Sequence, residues 1–230
     1  MPAPRFSPKT LAFLRALKRH NDREWFRERR GTYEEHVRAP MIAIIERVAD
    51  DLRAFAPDLV ASPKVSMYRI YRDTRFSANK SPFKSHVSAI FPHRDLGKHE
   101  GAGLYFHLAT DHVLVGGGIY APAPRQLLQV RQHIAANSRR LDSIVSATTF
   151  RRSYGALDGQ QLKRVPRGFD PDHPAADYLR HKRFLAGCKR PPSFATGARF
   201  YPSLVRLFKD LAPLIHFLNE PLAGKRFSLS

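Results

Sequence analysis

The chain is poor in the residues that carry redox and zinc chemistry, with one cysteine, Cys188, in 230 residues. A lone thiol makes no internal disulfide and supplies no cysteine-rich zinc site. Its neighbour Lys189 should lower the thiol pKa a little. With no His or Asn partner identifiable and no Gly-x-Ser-x-Gly elbow, covalent catalysis is not expected. No apolar run approaches the eighteen or so residues of a membrane helix, and residues 1–9 lack an apolar segment of the signal-peptide kind. The expectation is a soluble, cytoplasmic protein with no membrane partner. Acidic residues are also scarce, 20 against 39 Lys and Arg, for a net charge of +19.

The remaining composition is that of an ordinary globular protein, 43% hydrophobic and 26% charged, so disordered and fibrous classes drop out. A chain of this length can bury roughly 70% of its unfolded surface. The charge is uneven: residues 1–60 hold 12 basic and 9 acidic side chains, and residues 61–230 hold 27 and 11. The later part is therefore expected to meet an acidic partner. Arginine outnumbers lysine 28 to 11, and a guanidinium fork suits phosphate and carboxylate, although coding-base bias produces the same ratio.

Hydrophobic spacing divides the chain into three stretches of one α+β domain, 1–230. Residues 1–60 read as helices. Ser7-Pro8 caps a first helix with Leu11, Leu14 and Leu17 on one face, and Asp22 caps a turn carrying Trp25 and Phe26. Thr32 and Glu35 have capping-box spacing before a stripe from Val37 to Phe55. Residues 61–121 read as a sheet, with strands at 65–71, 85–91, 104–109 and 113–120 bounded by Pro, Gly and Asp. Residues 122–230 return to helices at 123–136, 139–147, 174–178 and 201–218, the last bent at Pro213. Between 150 and 168 a loop is expected, with one strand near 162–165. A central antiparallel sheet flanked by N- and C-terminal helices follows.

Residues 69–84 hold Arg69, Arg72, Arg75, Lys80 and Lys84 and one acid, Asp73. The segment runs from a strand into a loop with Asn79 and Ser81-Pro82 as turn formers, so cationic heads can converge where strands end. With the Thr74, Ser77 and Ser81 hydroxyls they supply what an oxyanion requires. The competing reading has Asp73 and an acid such as Glu24 tying these cations into a structural ion network.

Five runs carry a resemblance: Asn21-Asp22-Arg23-Glu24-Trp25-Phe26, Tyr68-Arg69-Ile70-Tyr71-Arg72-Asp73-Thr74-Arg75-Phe76-Ser77, Lys80-Ser81-Pro82-Phe83-Lys84, Gly116-Gly117-Gly118-Ile119-Tyr120, and Lys163-Arg164-Val165-Pro166-Arg167-Gly168-Phe169. In this order the chain resembles, over nearly its whole length, the bacterial and fungal domain-of-unknown-function family numbered 2461. Departures from the family pattern are Asp22 for Asn, Ala78 or Asn79 for Asp, and Phe83 for Tyr. The resemblance implies no activity, cofactor or site residue.

Trp25 reads as core packing rather than a stacking platform. The three glycines lack the Gly-Lys-Ser/Thr ending of a phosphate loop and mark a bulge or a close backbone approach. Gly116 and Gly118 share a sheet face with Tyr120 and, across the hairpin, with Tyr105 and His107. His107 alternates with Leu104, Phe106 and Leu108, and is an acid-base candidate if its face is the pocket. The eleven histidines show no ligand spacing, so neither metal nor cofactor is expected. Lys163, Arg164 and Arg167 form either a second wall of the site or a solvated rim.

The functional expectation is an anion-binding pocket for a phosphorylated or polycarboxylate small molecule. Arg69, Arg72, Arg75, Lys80 and Lys84 would bind it, and Asp73 and His107 are the catalytic candidates. Two alternatives stand beside it: a non-specific binder of nucleic-acid phosphate, and a structural or adaptor domain meeting acidic partners.

Overall fold

The computed structural model describes residues 3–224. The chain begins with α1 (Pro8–Arg19), where the Ser7 N–H donates to Thr10 Oγ1 at 3.2 Å. Then come α2 (Arg23–Glu28), α3 (Arg30–Tyr33), a π turn (Glu34–Arg38) and α4 (Ala39–Phe55). The capping box expected at Thr32 and Glu35 does not form, because the helix runs through both positions. Pro40 explains the widened turn: it has no N–H to give the His36 carbonyl. That carbonyl accepts instead from the buried Thr10 hydroxyl at 2.6 Å, which ties α1 to the π turn.

After α5 (Pro63–Ser66) come β1 (His86–Phe91), β2 (Gly103–Ala109) and β3 (Val113–Ile119). Helices α6 (Pro124–Ala136), α7 (Ser138–Ser146), α8 (Thr148–Tyr154) and α9 (Ala176–Leu179) precede β4 (Phe184–Arg190), α10 (Ser193–Thr196) and α11 (Phe200–Asn219). The sheet has the order β1-β2-β3-β4 with every pair antiparallel. The α+β class expected from the sequence is the one observed.

Four expectations differ from the structure. Residues 65–71 form no regular strand: α5 takes the start, and the rest meets its neighbours only through single bridging pairs. Residues 162–165 form no strand, and Leu162 only donates its N–H to the Arg180 carbonyl. The loop expected from 150 begins after α8, which anchors Tyr154 Oη on the Leu207 carbonyl at 2.6 Å. Strand β4 was not anticipated.

One sheet face carries the core. Val87, Ala89 and Phe91 of β1, Leu104, Phe106 and Leu108 of β2, Val113, Val115 and Ile119 of β3, and Phe184 and Ala186 of β4 are all buried. Helix α11, which continues through Pro213, lies on this face, with Phe208 5.5 Å from Phe91 and 6.5 Å from Phe106 between ring centroids. Gly117 allows that approach, since a Cβ there would stand 3.0 Å from Leu211 Cδ2 and 3.1 Å from Ile215 Cδ1. Gly118 has φ +124°, and a Cβ would collide with the Phe184 carbonyl. Among the described residues no helix is long and apolar enough to cross a membrane.

With helices on the core face, the other sheet face carries the alternate residues. Ser88, His107, Leu114 and Lys189 form one cross-strand row, and Ile90, Tyr105, Gly116 and Gly187 form the next. One covered and one more open face is the usual state of an antiparallel sheet.

Candidate anion-binding site

Residues 67–84 make a ragged hairpin along the outer edge of β1. Met67 bridges Ala89 and Tyr71 bridges Phe83. The Lys84 N–H donates to the Ile70 carbonyl and the Arg72 N–H to the Pro82 carbonyl, both at 2.8 Å. Asn21, just after α1, closes the hairpin base: Nδ2 donates to the Phe83 carbonyl at 3.0 Å, and Oδ1 accepts from the Phe83 N–H at 2.9 Å. Its neighbour Asp22 accepts from the Trp25 N–H at 2.8 Å and caps α2. That cap sets Phe26 on Phe83, ring centroids 4.2 Å apart. Trp25 packs partly buried against the core, 5.7 Å from Phe13.

The five cations of the hairpin separate. Arg75 forks onto Asp73, with Nε–Oδ1 at 3.1 Å and Nη2–Oδ2 at 2.8 Å, and both side chains are exposed. This pairing pulls the Asp73 carboxyl down to about 2. Lys80 Nζ donates to the Thr74 carbonyl at 3.1 Å, and Arg72 Nη2 to Ser77 Oγ at 3.4 Å. These contacts tie the hairpin tip to itself. The wider ion network does not form, since Glu24 pairs with Arg27 on exposed α2. Arg72 and Lys84 line one cleft of about 410 Å³ together with Lys18, Asn21 and His86. Arg69 lines a different groove. Lys163, Arg164 and Arg167 are exposed and line neither.

Lys84 has a second cation beside it. Lys98, from the β1–β2 connection, lies with its Nζ 4.5 Å from the centre of the Tyr68 ring, and Lys84 Nζ lies 5.1 Å from the same ring. Lys98 also donates to the Val65 carbonyl at 2.6 Å. Among the described residues, no carboxylate lies within salt-bridge distance of either amine. Burial lowers the pKa of both, Arg69 adds to the effect on Lys84, and Lys84 adds to that on Lys98. Desolvation and like charge both disfavour the protonated amine.

From His86 the cleft gives onto the open sheet face. The His86 and His107 rings are 5.2 Å apart. Tyr105 Oη is 3.0 Å from His107 Nδ1, His107 Nε2 is 2.9 Å from His112 Nε2, and His112 Nδ1 is 3.0 Å from Asp111 Oδ1. One assignment of protons satisfies all three contacts: Tyr105 donates to His107, His107 to His112, and His112 to Asp111. Burial, then His86 and His112, pushes His107 down to about 4, so its imidazole is neutral at pH 7. Asp73, exposed and held by Arg75, is a poor acid-base group by comparison. Tyr120, expected on this face, is exposed beyond the end of β3. Cys188 is buried, and burial raises its thiol pKa instead of lowering it as expected from Lys189. No group of three or more His, Cys, Asp or Glu able to hold a metal ion occurs among the described residues.

A family model described as a conserved hypothetical protein (DUF2461) matches residues 9–217. The chain belongs to the DUF2461 family. No curated protein matches it. In this DUF2461 chain, the runs around Asn21, Tyr71 and Phe83 meet at the hairpin base, where the Tyr71 and Phe83 rings are 5.2 Å apart. Gly116 pairs directly with Tyr105 on the open face. Sequence reasoning missed Lys18, Tyr68, His86 and Lys98 as site residues. For Tyr68 the signal was present in its position next to Arg69, whereas Lys98 lies in a polar connection with no pattern to single it out.

Proposed function

We propose that the cleft around Lys84 binds a small molecule bearing a phosphate or several carboxylates. The observation that carries this reading is Lys84, a half-buried amine lining the cleft, with Lys98 at the same Tyr68 ring although not itself in the cleft lining, and no carboxylate within 4.0 Å of either amine among the described residues. Such a pair costs folding energy in the empty protein, and an oxyanion offsets that cost while accepting charge-assisted hydrogen bonds. Arg72 and Lys18 extend the positive wall of the cleft. Arg75 and Lys80 hold the hairpin tip in this reading and act on the anion only indirectly. Beyond His86, the neutral His107 imidazole and the Tyr105 hydroxyl offer hydrogen bonds to a ligand on the open face, and with its pKa held at about 4 His107 is a weak base at neutral pH.

Calorimetric titration with pyrophosphate and with citrate, at low salt, tests the site. One-to-one saturable binding is expected, weakened at least tenfold in Lys84→Met and in Lys98→Met, each loss being that of one charge-assisted contact. No saturable binding, or binding indifferent to both substitutions, would overturn the proposal. The nucleic-acid reading draws support from one feature, Phe76, which is 96% exposed with the Arg75 guanidinium 5.8 Å from its ring centre. An exposed aromatic beside a cation is a stacking platform for single strands. Binding of an oligonucleotide that falls steeply with salt and is lost in Phe76→Ala favours that reading over the small anion.

A further inference from the structure

A second concavity, of about 290 Å³, lies between the α3–α4 region and residues 63–71. Its aromatic and apolar wall is well packed: Phe26, Tyr33 and Ile70 are each at most 6% exposed, and the Phe26 ring is 5.3 Å from Tyr33 and 6.3 Å from Tyr71. Tyr71 stands at the rim, 56% exposed. Arg30, Lys64 and Arg69 line the same groove and are exposed, and none has a carboxylate within 4.0 Å among the described residues. The single acid lining it, Glu34, is held by Arg38 at 3.1 Å. Both belong to the π turn, a helix distortion often found at functional sites.

Tyr33 adds a polar group to this lining. The residue is 6% exposed as a whole and lines the groove, and its hydroxyl, which meets no hydrogen-bond partner among the described residues, is open to solvent there. Burial pushes this phenol up to about 12, so it stays a donor at neutral pH. An apolar wall, a phenol donor without a protein partner among the described residues and unpaired cations at the mouth are complementary to one chemical class.

We infer that this groove binds an aromatic carboxylate, its ring system against Phe26 and Tyr71 and its carboxylate accepting from the Tyr33 hydroxyl in the field of Arg30, Lys64 and Arg69. The inference does not rest on the Lys84 cleft, and the two can fail separately. The probe is 2-naphthoate, followed by calorimetry and by saturation-transfer NMR on the full chain. Saturable one-to-one binding is expected, weakened at least tenfold in Tyr33→Phe and in Arg69→Gln and unchanged in Lys84→Met. Tyr33→Phe keeps the ring and Arg69 is exposed, so both variants should fold, and unchanged melting temperatures would establish it. The neutral isostere 2-naphthylmethanol should bind at least tenfold more weakly than the acid. No saturable naphthoate binding overturns the inference, as does binding that ignores both substitutions, equals that of the alcohol, or disappears in Lys84→Met. An acidic hexapeptide that displaces naphthoate and binds more tightly would assign the groove to a protein partner and likewise overturn it.

Discussion

Asn21→Ala would remove both hydrogen bonds that close the hairpin base. Phe83 is 2% exposed, and its N–H and C=O meet Asn21 at 2.9 and 3.0 Å. Alanine leaves a buried donor and a buried acceptor without partners, each worth about 1–3 kcal/mol when stranded. Partial access of water to Asn21 places the total at about 3 kcal/mol, which for a protein of this size lowers the melting temperature by roughly 6–12 °C. Thermal unfolding measures the loss, and limited trypsin cleavage after Arg75 and Lys80 measures whether the tip loosens. Cleavage there should accelerate severalfold. Asn21→Asp separates hydrogen bonding from bulk, because it keeps the acceptor but sets a carboxylate against the Phe83 carbonyl, and so should be at least as destabilising at pH 7. The control is Asn219→Ala. This buried side chain grips Ala102 in the same two-bond manner, at 2.7 and 3.0 Å, and its loss should destabilise comparably without changing cleavage at the tip. A loss below about 1 kcal/mol in Asn21→Ala, or unchanged cleavage, would refute the clamp.

Three further outcomes follow from the same geometry. Burial holds His107 down at about 4, below the ordinary imidazole value of 6.5, so the unfolded chain binds the proton first, and stability present above pH 6.5 is lost as pH falls towards 4. His107→Gln should flatten that acid limb in melting experiments between pH 4 and 7, although His86, His133 and His181 shift the same way and will keep part of it. Gly118→Ala forces a side chain into φ +124° and against the Phe184 carbonyl, and should cost about 2 kcal/mol or more in denaturant unfolding. Cys188→Ser buries a hydroxyl where a thiol stood and should cost about 1–3 kcal/mol while leaving pyrophosphate binding unchanged by calorimetry.

What was legible in the sequence was whatever depends on local pattern. The stripe from Val37 to Phe55 and that from Leu204 to Leu218 are legible because apolar residues recur on one face, and β1 to β3 because short β-branched and aromatic runs are bounded by Pro, Gly and Asp. Strand β4 alternates, through Phe184, Ala186 and Cys188, but Gly187 and the following Lys189 and Arg190 obscure the signal. Its place beside β3 is a long-range pairing that no local pattern encodes. The π turn illustrates the same limit: Pro40 was visible, but the use of the freed His36 carbonyl depended on Thr10, 26 positions earlier.

The site divides along similar lines. Charge density in residues 69–84 pointed to the hairpin, yet density does not tell which heads face each other. Asp73 lies two residues from Arg75 and captures it, which removes both from the cleft. Lys84 gains its significance from Lys98 and Tyr68, and that convergence exists only once the hairpin is laid on β1. His107 was placed on the correct face by alternation with Phe106 and Leu108, while its chain of partners through His112 to Asp111 required the turn between β2 and β3.

The central claim is that Lys84 and Lys98 are desolvated cations awaiting an oxyanion. NMR titration of their side-chain Cε and Nζ signals, with and without pyrophosphate, tests it most directly. In the free protein both amines should titrate below the ordinary value of 10.5, and saturating pyrophosphate should raise both, since the anion binds the protonated form. Two lysines that titrate at the ordinary value and do not respond to pyrophosphate would contradict the account.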